Sequence, residues 1–208
     1  MNIIFSYNRP EMLSNLLDEI GHSIVIDDGS TYPVASLLDK CDYYRFSHKG
    51  KEGFWMQWQH AFDIARESGD DWFFFGPDDI CNVQIDKIKE LSQFDKPFAL
   101  NYMNIGPPRG WTFIKHKKVS FGWEMCYVDC AFVTNRRTLE LLNWTMNPVR
   151  WERFLNPNIS SGVGQQMSKR FEALGVPMYM VAKSLAYHGD HESQMNTEER
   201  KIHPLISI

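Results

Sequence analysis

Two adjacent carboxylates, Asp78 and Asp79, close the stretch Trp72-Phe73-Phe74-Phe75-Gly76-Pro77-Asp78-Asp79-Ile80. Paired hard oxygen ligands suit Mg²⁺ or Mn²⁺, and those ions suit a diphosphate. Buried like charges are costly, so the pair belongs at an edge of the fold that a ligand can reach, not in a core. The run before it is short, apolar and aromatic, which suits a buried strand better than a helix. Sheets of α/β proteins bind their ligands at the carboxyl ends of such strands. These residues predict a metal-dependent enzyme acting on a nucleotide diphosphate; a polar turn after a strand is the plain alternative.

The elements that must position the pair are legible upstream. Residues Asn2 to Ser6 read as a strand. Pro10 suits a first helical turn, and Met12, Leu16, Leu17 and Ile20 give Glu11 to Ile20 a helical face that stops at Gly21. A second strand, Ser23 to Ile26, runs into Asp27-Asp28-Gly29-Ser30. Val34 to Leu38 reads as a short helix, Tyr43 to Phe46 as a third strand, residues 48–53 as a loop and Phe54 to Glu67 as a helix. Strand and helix thus alternate over the first eighty residues, which predicts an α/β fold with a mostly parallel central sheet and helices on both faces. Further on, Ile85 to Leu91, Arg137 to Leu142 and Gln165 to Leu174 read as helices. Phe98 to Met103, Phe113 to Lys117, Cys126 to Thr134 and Met178 to Val181 read as strands, and the tail from His188 is polar and irregular.

This order sets Ser6-Tyr7-Asn8-Arg9, Asp27-Asp28-Gly29-Ser30, the loop before Phe54 and Asp78-Asp79 along one sheet edge, the edge that binds nucleotides. There Tyr7 can stack on a base, Asp27 or Asp28 can accept from a uracil N–H, and Arg9 and Lys51 can pair with phosphate. The phosphate-loop and dinucleotide fingerprints GxxxxGK[ST] and GxGxxG are both absent.

The quoted segments resemble the nucleotide-binding half of GT-A glycosyltransferases of the family-2 type, which show a TYNR-like first loop, a VDDGS second strand end and a DxD metal motif. The resemblance covers roughly residues 1 to 100 and implies a single Rossmann-like domain over 1–208. Residues 1–100 would be its nucleotide-sugar-binding half, and 101–208 its acceptor-binding half with a metal-binding tail. It implies Mn²⁺ or Mg²⁺ as cofactor and a UDP-sugar as donor, with the metal stabilising the departing diphosphate. By position Asp79 and Asp78 take the metal role. Gly76-Pro77 stands where an Asp usually opens the motif, so which carboxylate touches the metal stays open. Such enzymes often supply a late histidine as a further ligand, and His188 follows the last strand in that order, with His191 in reserve. Inverting members place a Glu-Asp pair at a late helix, its Asp the general base. Here that helix carries Gln165-Gln166, and a glutamine cannot take a proton. Either the base is Glu124 or Asp129, or configuration is retained with a neutral amide such as Gln165 near the anomeric carbon.

The tail His188-Gly189-Asp190-His191-Glu192-Ser193-Gln194-Met195-Asn196 resembles small glycosyltransferases of T-even-type phages. That resemblance implies double-stranded modified DNA as partner, with hydroxymethylcytosine or its glucosylated form as acceptor. Lys115, Lys117, Lys118, Arg136, Arg137 and Arg150 would then meet phosphates, and Trp111, Trp123 or Trp151 would stack on the modified base. A net charge of −4 supplies no global attraction to nucleic acid. Two other readings remain: a glycosyltransferase for a cell-surface polysaccharide or lipid-linked glycan, and a non-catalytic nucleotide-binding module.

Composition bounds the rest. At 208 residues, with 43% hydrophobic and 23% charged side chains, the chain is of ordinary globular type. No apolar stretch approaches the roughly 20 residues of a membrane span, and no signal-peptide pattern opens the sequence. Four cysteines without CxxC spacing favour reduced thiols, so the expectation is a cytoplasmic protein without membrane contact.

Overall fold

The computed structural model describes residues 1–104, 117–146 and 162–189, apart from the side chains of Lys51 and Glu52. The first half runs β1 (Asn2–Ser6), α1 (Pro10–Ile20), β2 (Ser23–Asp27), β3 (Cys41–Arg45), α2 (Gly50–Ser68), β4 (Trp72–Pro77), β5 (Ile80–Cys81) and α3 (Ile85–Leu91). The second half adds β6 (Ala99–Asn101), β7 (Lys117–Val119), β8 (Gly122–Met125), β9 (Phe132–Asn135), α4 (Arg136–Leu141), α5 (Val163–Ala173), β10 (Met178–Val181) and β11 (Tyr187–His188).

The described strands β3-β2-β1-β4-β9-β6-β10-β8-β7 form one sheet in that order, and β11 pairs with β5 in a separate ribbon. The block β3-β2-β1-β4 is parallel throughout, as are β6 and β10. Strand β9 is antiparallel to both β4 and β6. The chain lays β2 and β3 on one side of β1 and then crosses to lay β4 on the other. The crevice beyond the carboxyl ends of β1 and β4 is therefore a switch point, where open α/β sheets bind ligands.

Alternation along the strands assigns the helices to two faces. Ile3, Phe5, Phe73 and Phe75 join one core cluster with Trp58, Ala61, Phe62 and Ala65 of α2, Leu139 of α4 and Met167 and Phe171 of α5. Ile4, Val25 and Phe74 face the other way, against Leu13, Leu16, Leu17 and Ile20 of α1 and Ile88 of α3. Covered on both sides, β4 reads as an unbroken aromatic run instead of an alternating one. The Trp58 ring lies parallel to Phe132 at 5.7 Å and close to Phe5 and Phe75, so this tryptophan is core. No helix among the described residues is long and apolar enough to cross a membrane.

Several boundaries differ from the sequence expectation, each for a local reason. Val34 to Leu38 is a run of turns, not a helix. Leu37 N–H donates to the Val34 carbonyl at 2.8 Å and Lys40 N–H to that of Leu37 at 3.0 Å, and the chain then enters β3. Helix α2 begins at Gly50, four residues before Phe54, because Asp28 accepts from the backbone N–H groups of Lys49 and Gly50. The strand expected from Cys126 begins only at Phe132. The N–H groups of Val128, Asp129 and Cys130 donate instead to Ser168 Oγ, Asn101 Oδ1 and Asp129 Oδ1, which leaves no ladder there. Gly122 and Trp123 lie in β8, paired with β7 and β10.

Candidate functional site

The carboxyl ends of β1, β2 and β4 are stitched together by their own loops. Asp28 N–H donates to the Ser6 carbonyl at 3.0 Å, and Asp78 N–H to that of Phe5 at 2.9 Å. Asn8, in the left-handed region at φ 52°, donates its N–H to Ser30 Oγ and accepts from Thr31 N–H. Asparagine tolerates that conformation better than most residues. Gly29 has φ 80°, and a Cβ there would stand 2.6 Å from the His48 nitrogen, so both backbone and space require glycine.

Asp78 is 3% exposed and Asp79 2%. Asp78 Oδ2 accepts from Ser6 Oγ at 2.9 Å and Tyr7 N–H at 3.1 Å, which clasps the first loop to the end of β4. Arg9 Nη1 lies 3.3 Å from Asp78 Oδ1 and 2.9 Å from Asp79 Oδ2, bridging the two carboxylates. Burial, with a smaller push from the Asp79 charge, raises the Asp78 carboxyl to about 6 despite the opposing Arg9 charge and the Ser6 hydrogen bond.

His188 reaches this corner through the β5–β11 ribbon, in which it pairs with Ile80. Gly189 N–H donates to the Asp79 carbonyl at 2.7 Å, and His188 Nδ1 stands 3.2 Å from Asp79 Oδ1. That separation suits a hydrogen bond from Nδ1–H. It also leaves the Asp79 carboxylate and the His188 imidazole as the two groups that would hold a divalent cation at this corner. No ready-made group of three or more metal-ligating side chains occurs among the described residues. The donor set nonetheless fits Mg²⁺ or Mn²⁺, because such ions take one or two protein ligands and complete their shell with water and substrate phosphates.

The two strand-end aspartates after β2 have protein partners on every side. Asp27, fully buried, accepts from Ser30 N–H and Ser30 Oγ and from Arg45 Nε at 2.7 Å. Asp28 takes Lys49 N–H and Gln57 Nε2 on one oxygen and Gly50 N–H on the other, while His48 Nδ1 bonds the Asp28 carbonyl oxygen at 2.9 Å and stands 3.0 Å from that second carboxylate oxygen. A carboxylate offers about four acceptor positions, and three of those of Asp28 carry these bonds. Its role here is to fasten the start of α2, leaving little capacity for a base. Beside it Tyr7 and His48 stack at 4.4 Å, with His48 half exposed. His48 opens the loop expected at this edge, but nothing in its sequence neighbourhood ties it to Tyr7. The Lys51 side chain lies outside the described residues.

Asp129 and Glu124 part company. Phe75 pairs with Phe132, and β9 runs antiparallel to β4, so Asp129 emerges at the same edge as Asp79. Both carboxylates help to push the buried Tyr102 hydroxyl well above its ordinary value, after burial itself. Glu124 lies on β8, four positions from β4 in the sheet, about 19 Å away at about 4.8 Å per strand. The N-terminus of α5 abuts Asp129. A Cβ on Gly164 would stand 2.7 Å from the Val128 carbonyl oxygen and 3.4 Å from Asp129 Cα. Gln165 follows in the first turn of α5, its Oε1 buried without a hydrogen-bond partner among the described residues.

The residues expected to meet an acceptor are dispersed. Trp123 sits on β8 against Met125 and Met180, and Lys117 is exposed on β7 at the sheet margin. Arg136 lies at the opposite end of β4, beyond the Trp72–Asn135 pair. It donates to the carbonyls of Asp70 and Ala65 and covers the Trp144 and Phe73 rings. The structure does not bring it to this edge, since a guanidinium that caps the C-terminal turn of α2 is committed there. Lys115, Arg150, Trp111, Trp151 and His191 lie outside the described residues.

No family model matches the chain, and no curated protein matches it. Among solved structures it is similar to S. aureus TarS residues 1–349, a family-2 glycosyltransferase, with a TM-score of 0.60 at 13% identity. The match covers 91% of this chain and 60% of that one, so this chain spans well under two thirds of its neighbour's length. The shared architecture is a GT-A-like domain with a large, mostly parallel central sheet and helices around it.

Proposed function

We propose that this chain is a glycosyltransferase that moves a sugar from a UDP-sugar to a hydroxyl acceptor with Mg²⁺ or Mn²⁺ bound. The observation that carries the reading is the meeting of Asp78, Asp79, Arg9 and His188 at the switch point between β1 and β4. In this reading Tyr7 and His48 offer the base a ring surface. Asp79 and His188 hold the cation, which when bound offsets charge on the diphosphate. Asp78, clasped by Ser6 and Tyr7, keeps the first loop and Arg9 in place. Asp129 is the general base. It takes the acceptor hydroxyl's proton as that oxygen attacks the anomeric carbon and the bond from that carbon to the diphosphate oxygen breaks. A direct displacement of this kind inverts configuration. Gln165, in the first turn of α5, would offer its amide to an acceptor or donor hydroxyl.

For the acceptor we propose the hydroxyl of hydroxymethylcytosine in DNA, or of its glucosylated form. The tail sequence from His188 and the exposed Lys117 and Lys118 on β7 support this. A saccharide acceptor is favoured instead by the net charge of −4 and by the commitment of Arg136 to α2 carbonyls. The test incubates the protein with Mn²⁺, a panel of UDP-sugars and both DNA acceptors, then weighs the nucleosides by mass spectrometry. A gain of one sugar mass on either DNA supports the whole reading. UDP release without gain moves the acceptor to carbohydrates. No turnover of any donor favours a nucleotide-binding module.

A further inference from the structure

We infer that Arg9 is the built-in counter-ion of the carboxylate pair, and that it makes the cation and the nucleotide bind as a couple. The inference rests on the metal-dependent reading above. Asp78 and Asp79 are both nearly inaccessible to solvent, and two ionised carboxylates side by side in such a place repel each other. Arg9 Nη1 stands between them at 3.3 and 2.9 Å, and its side chain is itself 10% exposed. With the nucleotide absent, this guanidinium does for the pair what a cation would do. A divalent ion arriving at Asp79 and His188 meets a fixed positive charge already in contact with the same carboxylate, so its binding is opposed.

A diphosphate changes that balance. It brings several negative charges and planar oxygen sets that a guanidinium binds in a fork. Arg9 can then trade carboxylate oxygens for phosphate oxygens without leaving the corner. Asp79 is released to the cation, whose remaining positions the same phosphates fill. Arg9 is thus a positioning residue with two alternating partners. By linkage, whatever factor UDP adds to cation affinity, the cation adds to UDP affinity. The clasp of Ser6 and Tyr7 on Asp78 holds Arg9 close to both partners, because Arg9 follows Tyr7 by two residues.

The test is a Mn²⁺ titration of the full chain by electron paramagnetic resonance, with and without UDP, for wild type, Arg9→Gln and Arg9→Lys. Circular dichroism would report whether each variant is folded. Wild type should bind Mn²⁺ at least tenfold more tightly with UDP than without. Arg9→Gln should bind Mn²⁺ without UDP at least tenfold more tightly than wild type, with most of the UDP effect gone. Arg9→Lys, which keeps the charge but not the fork, should fall between. If Arg9→Gln does not fold, Arg9→Lys decides, and a UDP effect there equal to wild type overturns the inference. Mn²⁺ bound with UDP but no tighter in Arg9→Gln than in wild type without UDP overturns it while sparing the metal-dependent reading. No Mn²⁺ bound by any variant, even with UDP, overturns both.

Discussion

The substitution Asp78→Asn should change the pH dependence of stability by an amount that follows from the burial of this carboxyl. The group is raised from 3.8 to about 6, so the folded protein holds its proton more tightly than the unfolded chain does. Such a group contributes stability that is fully present below the unfolded pKa and is lost as pH rises through the folded one. Over that window the loss is about 3 kcal/mol, of which about 2 kcal/mol falls between about pH 4.5 and about pH 8. The asparagine side chain keeps an oxygen for Ser6 Oγ and Tyr7 N–H but carries no titrating proton. Its amide turned toward Arg9 costs something, and that cost is the same at every pH. The quantity to measure is therefore the stability gap between variant and wild type, by urea unfolding in chelator, at each end of that range. The gap should move by about 2 kcal/mol in favour of the variant at the higher pH. A gap that stays constant would refute the claim that Asp78 is ionised at a cost, and with it the view that the fold gives up stability to keep this charge.

The remaining predictions concern the site itself. Asp79→Ala should lower transfer by about 100-fold or more while circular dichroism and the melting transition persist; full activity with metal present would remove Asp79 from the site. His188→Ala should weaken Mn²⁺ binding in the presence of UDP by about tenfold or more, and an unchanged titration would assign the ligand elsewhere. Asp129→Asn should cut turnover by roughly 100- to 10,000-fold and Glu124→Gln should leave it near wild type; the reverse pattern would reassign the base. Gly164→Ala forces a methyl against the Val128 carbonyl oxygen at 2.7 Å. It should cost about 1–3 kcal/mol of stability, read by urea unfolding, and a neutral effect would mean that α5 is not seated on Val128 and Asp129 as described.

Strands β1, β2 and β4 were legible because each is a short apolar run closed by a polar end within a covered parallel block, whereas β3, at the end of the sheet, is half exposed and is reached through turns instead of the expected helix. Asp78 and Asp79 stood out because two charges follow Phe73-Phe74-Phe75 after only Gly76-Pro77, which puts them at the strand end; contrary to the expectation of an accessible pair, both are nearly buried there, with Arg9 between them. What escaped were features made by contacts distant in sequence. The two roles of Asp27 and Asp28 depend on Arg45, Lys49, Gly50 and Gln57, none of which the DDGS stretch specifies. The stretch 126–131 has strand-forming residues, yet Ser168 and Asn101 take its N–H groups, and only the folded chain brings them there. Glu124 and Asp129 are five residues apart in sequence and looked equivalent. Strand order separates them, because β8 is an outer strand and β9 is the neighbour of β4.

The ribbon of β5 and β11 bears on how the chain comes to be competent at all. Strands β1 to β4 can associate through connections of modest length, so the sheet's parallel block can mature while later residues are still being made. The contact of Asp79 with His188 bridges 109 positions of sequence and is joined by a two-stranded ribbon. Such a small, remote pairing is expected to form late and open early, well before the sheet does. A nascent or nicked chain lacking Tyr187 and His188 would then be largely folded and yet lack the contact of His188 with Asp79.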